Sequence, residues 1–560
     1  RTWRQQRRDP HARAASSRPL RRLRPPLGRP ARDGSGRPLP RLRRTDLLIA
    51  SADPLSADLV GTCVLGYDIA DVPHLMHAAR NHGRPTDLSD IEIKGTPIES
   101  VQTHHEHDHA YIQNKEIYVQ YTTIGCEPSD CISVRFVTET AWHSLFVRTM
   151  YAPVEAVTDF SEFAVDFSVV HLPGFHADPS VDGIRSTAFV MINLSQKVIF
   201  ICGTQYAGEI KQAVFSMLNL LVSQDKTFLM RCAANVGPDN DVAVFIGRGG
   251  SGKTTLAVDD LRPLIGDHVH GWTEEGLVNF ERGGYAKVHN LLKASSPPIF
   301  NCTRRFGTIL ENVAVDSLSR RIDLADGQLT PNTRAAYPLS HVDNWKGASP
   351  FGHPQHLFLV TCDAFGVLPP LARLTPELAV YAFMCGYTSR LDKPETTEPV
   401  ADFSFDTCFG ASTMTLPAHV YGCRLLDKIK HHHVTCWMLN TGFTVEPWYH
   451  GRRIDVSVSR ALIHAVTSGG LDQVSFDIDP VFGYEIPTAC PGVPGQSLDP
   501  RKATHDEAEY EIRANQLAKA LRDDFARFEA QMPEKMRHLL ADVLSPDDSF
   551  DLLESMGFSI

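Results

Sequence analysis

Between residues 110 and 235 short apolar runs alternate with turn residues, at 117–121, 132–137, 188–192 and 197–202. Their period-two character predicts strands of a mixed α/β domain. Helical spacing is predicted over 209–221 and between Pro376 and Tyr387. Thr504 and Glu507 read as a capping-box pair ahead of a helix with the apolar stripe Tyr510, Ala514, Leu517, Leu521, Phe525 and Phe528. That stripe is core packing. Beyond Pro533, runs at 539–543 and 550–553 predict one or two short helices.

The chain has 560 residues, 42% hydrophobic and 22% charged, which suits a globular α/β protein of two or three domains. Its formal charge of -11 is unevenly spread. Residues 1–45 carry 15 Arg against Asp9 and Asp33, a net +13, which leaves -24 for the rest. This Arg- and Pro-rich head is expected to be disordered, as a transit peptide or a segment with no structural role. The expected location is cytoplasmic, or mitochondrial if the head is a transit peptide. A start at Arg1 rather than Met reads as a fragment or a processed form.

An acidic body argues against nucleic-acid binding. No run of 18 apolar residues suggests a membrane span. The 12 Cys are scattered without a C-x-x-C pair, which predicts free thiols in a reducing compartment.

The sharpest chemical signal is Gly247-Arg-Gly249-Gly250-Ser251-Gly252-Lys253-Thr254, a phosphate-binding loop with Thr255 following. A strand-like run at 242–246 precedes it and a helical run at 255–259 follows, as the motif requires. Glycines let backbone N–H groups face a polyphosphate, and a helix N-terminus favours negative charge. Lys253 is expected at the β- and γ-phosphates, with the Thr254 hydroxyl on Mg²⁺. Asp267, closing the apolar run Leu264-Ile-Gly-Asp267, supplies a carboxylate for the same ion.

Further segments narrow the reading: Gly203-Thr-Gln-Tyr-Ala-Gly-Glu-Ile-Lys211, Cys232-Ala-Ala-Asn-Val-Gly237, His270-Gly-Trp272, Tyr285-Ala-Lys287, Leu310-Glu-Asn-Val313 and Asn332-Thr-Arg-Ala-Ala-Tyr-Pro338. Asp363-Ala-Phe-Gly-Val-Leu-Pro-Pro370, Asp479-Pro-Val-Phe-Gly483 and Pro491-Gly-Val-Pro494 continue the series. With these, the chain resembles the ATP-dependent phosphoenolpyruvate carboxykinases from about residue 110 to 530. The resemblance implies an α/β fold of two domains, at 46–238 and 239–530, and the apolar runs beyond it are expected to form a helical tail at 531–560. It implies conversion of oxaloacetate and ATP to phosphoenolpyruvate, ADP and CO₂ in gluconeogenesis, with Mg²⁺ on the nucleotide and Mn²⁺ as a second metal. It places Tyr206, Lys211 and Arg334 in the cleft as catalytic groups, with Lys253. It also implies Glu311 as a nearby acid and Arg453 with Ile454 beside the adenine.

The sequence departs from that pattern where the resemblance implies the second metal. Those positions, a lysine, a histidine and an aspartate in the family, are here Gln212, Arg231 and His268. A guanidinium stays protonated and offers no lone pair, so Arg231 cannot ligate a cation. The substrate loop's arginine position is Cys126, followed by Glu127. Losing such a charge-assisted contact costs about 2–3 kcal/mol. Phe443, Val445 and Glu446 also stand where the resemblance has Trp and Gly-Gly.

The expected function is therefore an ATP- and Mg²⁺-binding member with weak or absent carboxykinase activity. An active enzyme with an altered metal site is the alternative, and an interaction subunit with a protein partner is a third. Elsewhere, His104–His109 and His431–His433 read as polar loops rather than ligand sets, and Cys126 and Cys131 as passive thiols.

Overall fold

In the computed structural model, the four runs read from period-two patterning supply four strands of a six-stranded sheet, and Ala152–Pro153 and Phe167–Leu172, which the pattern did not single out, supply the other two. Its spatial order is Ala152–Pro153, Tyr118–Ile124, Ile132–Thr138, Phe167–Leu172, Val198–Cys202 and Phe189–Asn193. The structure describes Ser89 and residues 115–537, except 126–130, 155–163, 183, 223–226, 295, 317, 348–350, 393–399 and 535–536. Residues 1–45, the histidines at 104–109, Cys126 and the runs at 539–543 and 550–553 thus lie outside the described residues.

Phe167–Leu172 runs parallel to both of its neighbours, while the outer pairs are antiparallel. Alternate residues Val134, Phe136, Val169, Ile199 and Ile201 are buried. They share one core with Phe146 and Val147 of helix Ala141–Met150 and with Ile210 and Val214 of helix Gly208–Leu221. Thr140 caps the first of these helices by accepting the His143 N–H.

A second, ten-stranded sheet begins before the boundary expected at residue 238. Phe228–Val236 pairs with Val242–Gly247 on one side and with Val269–Trp272 on the other. The centre of this sheet is parallel: Val242–Gly247, Pro354–Thr361 and Thr435–Asn440 lie side by side. All six residues of Val242–Gly247 are buried, as suits a parallel strand covered on both faces. A small sheet of Gly283–Lys287, Arg334–Pro338 and Ile309–Glu311 completes the frame of the site. Among the described residues, no helix is long and apolar enough to cross a membrane.

Three local expectations need correction. The long C-terminal helix runs Glu507–Glu529, and its cap is Asp506, whose side chain accepts the Glu509 N–H at 2.9 Å. Thr504 instead accepts the Asp506 N–H, holding the turn before the cap. The expected stripe does face the core from Tyr510 to Phe525. After the phosphate loop the helix is only Lys253–Ala257, because the Asn235 amide binds the Ala257 carbonyl at 3.1 Å and Val258 turns extended. His431 and His432 end helix Ala418–His432, with His433 as its left-handed cap at φ 54°. The helix C-terminus suits imidazoles, and His432 stacks on His353 at 3.6 Å between ring centres.

Candidate functional site

The phosphate loop leaves the carboxyl end of the central parallel strands, where open α/β sheets bind ligands. Close packing there admits only glycine at 247, since a Cβ would stand 2.3 Å from the Val360 carbonyl oxygen. Gly250 and Gly252 take φ values of +92° and +96°, which L side chains disfavour. Ser251 is buried behind the loop, its carbonyl accepting the Thr441 hydroxyl at 2.9 Å. The Lys253 ammonium folds onto the loop and donates to the carbonyls of Gly247 at 2.5 Å and Arg248 at 2.8 Å.

Above the loop lies a cavity of about 350 Å³. Gly247, Gly249, Gly250, Gly252, Lys253, Thr254 and Thr255 form one wall. Tyr206, Lys211 and Gln212, around the start of helix Gly208–Leu221, form another. Arg231 enters from strand Phe228–Val236, Asp267 and His268 from the turn after Leu264–Gly266, and Arg334 from its own strand. Residues up to 128 apart in sequence are thus gathered in one space.

Other expected residues lie outside the lining. Glu311 accepts the Ala207 N–H at 2.9 Å and the Tyr285 hydroxyl, so its two oxygens tie the small sheet to the start of helix Gly208–Leu221. Arg453 donates to the Thr441 carbonyl at 2.8 Å, and Ile454 N–H to that of Gly442 at 2.7 Å.

The electrostatics divide the cavity in two. On the loop side, burial pushes the Asp267 carboxyl up, against the hydrogen bond from Thr254. Its Oδ1 is buried without a hydrogen-bond partner. Hydroxyl and carboxylate oxygens side by side fit Mg²⁺, and an unsatisfied carboxylate oxygen is a ready ligand. Burial, then the neighbouring Arg231 charge, brings the Lys253 ammonium down to about 8.

On the far side Glu281 has no place in the sequence reading. Burial would raise its carboxyl, but Lys211 and then His268 hold it at about 2. Its Oε2 lies 3.1 Å from Lys211 Nζ and 3.6 Å from His268 Nδ1. Burial and the adjacent Lys211 lower His268 to about 3, so that imidazole is neutral. Gln212, Arg231 and His268 do not fit a second dication, because the middle member is itself a cation. Among the described residues, no three His, Cys, Asp or Glu side chains cluster as a metal centre.

Tyr285, Lys287 and His289 also line the cavity and were not among the expected site residues. Lys211 and Arg334 approach the Tyr285 ring at 5.6 Å and 5.5 Å. Tyr285 and Lys287 belong to the segment Tyr285-Ala-Lys287, whereas no sequence motif marks His289.

The chain matches the family model described as phosphoenolpyruvate carboxykinase over residues 92–496. It is 46% identical over 434 residues to phosphoenolpyruvate carboxykinase (ATP) of Pelobacter propionicus, covering 77% of this chain and 81% of the relative. The protein of the same name from Geobacter metallireducens is 48% identical over 425 residues, 75% and 79% of the two chains. That of Rhodopseudomonas palustris is 42% identical over 435 residues, 77% and 80%.

Proposed function

The chain belongs to the phosphoenolpyruvate carboxykinase (ATP) family, and from that premise we propose that it binds MgATP while catalysing oxaloacetate decarboxylation and phosphoryl transfer weakly or not at all. One observation carries the reading: an intact phosphate loop and Thr254–Asp267 pair share a cavity with Arg231, where the family resemblance implies a metal ligand. Lys253 would meet the β- and γ-phosphates, and Thr254 with Asp267 would hold Mg²⁺, whose charge would offset that of the phosphates. Arg334 and Tyr206 line the same cavity.

The impaired step is enolate formation. Decarboxylation of a 2-oxo acid leaves an enolate, and a dication beside it lowers that barrier. Arg231 supplies one diffuse positive charge and no empty orbital. Lys211, beside Gln212 in the chain, is paired with Glu281. Substrate binding is weakened as well by Cys126 and Glu127 in place of a cationic loop.

A slow carboxykinase is the second reading, favoured by His268, whose neutral imidazole keeps a buried Nδ1 without a hydrogen-bond partner. Oxaloacetate-dependent ADP formation with Mg²⁺ and Mn²⁺ decides between them. Turnover near about 10 s⁻¹, ordinary for enzymes, would sink the impaired reading. Thermal stabilisation by MgATP, abolished in Lys253→Ala, is the expected sign of nucleotide binding; no stabilisation of the native chain overturns it.

A further inference from the structure

Arg231 presents a charge that the protein leaves open. Among the described residues its guanidinium forms no ion pair and no side-chain hydrogen bond, although it lines the cavity. Asp406 and Glu281 act on it electrostatically, but neither forms an ion pair with it. Glu281 is paired with Lys211, and the Asp406 carboxylate accepts the Ala411 N–H at 2.9 Å. The Arg231 stem is nevertheless held: a Cβ at Gly410 would lie 3.3 Å from its Cδ, so the turn at 407–410 packs directly on it. Five donors fixed in a half-buried space, with a second cation at Lys253, call for an oxyanion.

We propose that the corner formed by Tyr206, Gln212, Arg231 and His268 is a metal-free oxyanion subsite, taking a carboxylate or phosphate group on the Arg231 guanidinium beside the nucleotide. The proposal rests on the reading that the loop side holds MgATP. Planar donors match either group in a two-point contact, which a lysine at this position would not give. The Gln212 amide and the His268 ring line the same corner and offer polar contacts beside the guanidinium. Direct arginine contact replaces metal coordination, so the bound anion no longer depends on a transition metal.

Calorimetry on the full chain, saturated with MgADP and with Mg²⁺ as the only divalent cation, tests this with oxalate and inorganic phosphate as probes. Either probe should bind; oxalate alone identifies a carboxylate site, phosphate alone a phosphate site. Arg231→Gln should weaken that binding at least tenfold, and added Mn²⁺ should change it less than twofold. Gly410→Ala, which displaces the arginine stem with the charge intact, should weaken it several-fold even if Arg231→Gln does not fold. Failure of both probes to bind, binding only with Mn²⁺, or equal affinity in folded Arg231→Gln overturns the proposal. The MgADP titration is read separately: its loss in the native chain would sink the nucleotide reading instead.

Discussion

Lys211 Nζ lies 3.1 Å from Glu281 Oε2, with 4% and 3% of the two side chains exposed. The pair closes the floor of the cavity, where sequence resemblance implied a lysine available to substrate. A cation spent within the wall gives little to an incoming anion. Arg231, from the neighbouring strand, also lines the cavity and enters no ion pair among the described residues.

Breaking this pair should be severe, because it strands a buried charge. Glu281→Gln is expected to lower stability by about 3–5 kcal/mol, the range for removing one partner of a buried ion pair. Adding Lys211→Met should recover much of the loss, since the orphaned ammonium is gone. Urea denaturation of the single and double variants measures the coupling; a double variant as unstable as Glu281→Gln would refute it.

Strain is stored at Val445, a β-branched residue at φ 71°. Only glycine takes that region without cost, and the family resemblance implies glycine nearby. The loop is pinned on either side, by Phe443 N–H on the Asp363 carbonyl and by Trp448 N–H on that of Ala364. Val445→Gly is therefore expected to stabilise the protein by about 1 kcal/mol, the relief of strain exceeding the added chain entropy. Val445→Ala, which keeps the Cβ, should not. A thermal melt in which glycine fails to raise the midpoint would show that the backbone has relaxed another way.

How much of this was legible in sequence depends on the range of the interactions involved. The phosphate loop is local, so its strand, glycines and lysine were placed from spacing alone. Four strands of the first sheet are legible to within three residues because their alternation is imposed by the very face they bury, whereas Phe167–Leu172, buried at five of six positions, shows no alternation and is missed. Helix ends were less legible: Thr504 and Asp506 are both good caps, and only the turn geometry selects Asp506. The helix after the loop stops early because of Asn235, which arrives from another strand. Glu281 was invisible for the same reason. It gains its role from Lys211, 70 residues earlier, and no local pattern marks it.

Acid should loosen the wall that carries Tyr206. His171 Nε2–H donates to the Thr204 carbonyl at 3.0 Å, and His143 Nε2–H to that of Gln205 at 2.8 Å. The two rings meet edge-on at 4.2 Å. Burial, then the neighbouring His143, lowers His171 to about 3, and burial lowers His143 as well, opposed in each ring by its hydrogen bond to the backbone carbonyl and then by Glu139. His171 Nδ1 has no hydrogen-bond partner, so a proton added there would find no acceptor. The unfolded chain takes up these protons near the ordinary histidine value of about 6.5, before the folded one does. Stability is accordingly complete above that pH and is lost from there down toward 3, by as much as ~1.4 kcal/mol per pH unit for each histidine. His171→Gln keeps a donor for the Thr204 carbonyl and removes one titration. Its stability should fall less steeply between pH 6.5 and 5 than that of the native chain, by up to one proton in slope. Urea denaturation across that window measures both slopes, and equal slopes would show that His171 is already charged in the folded protein.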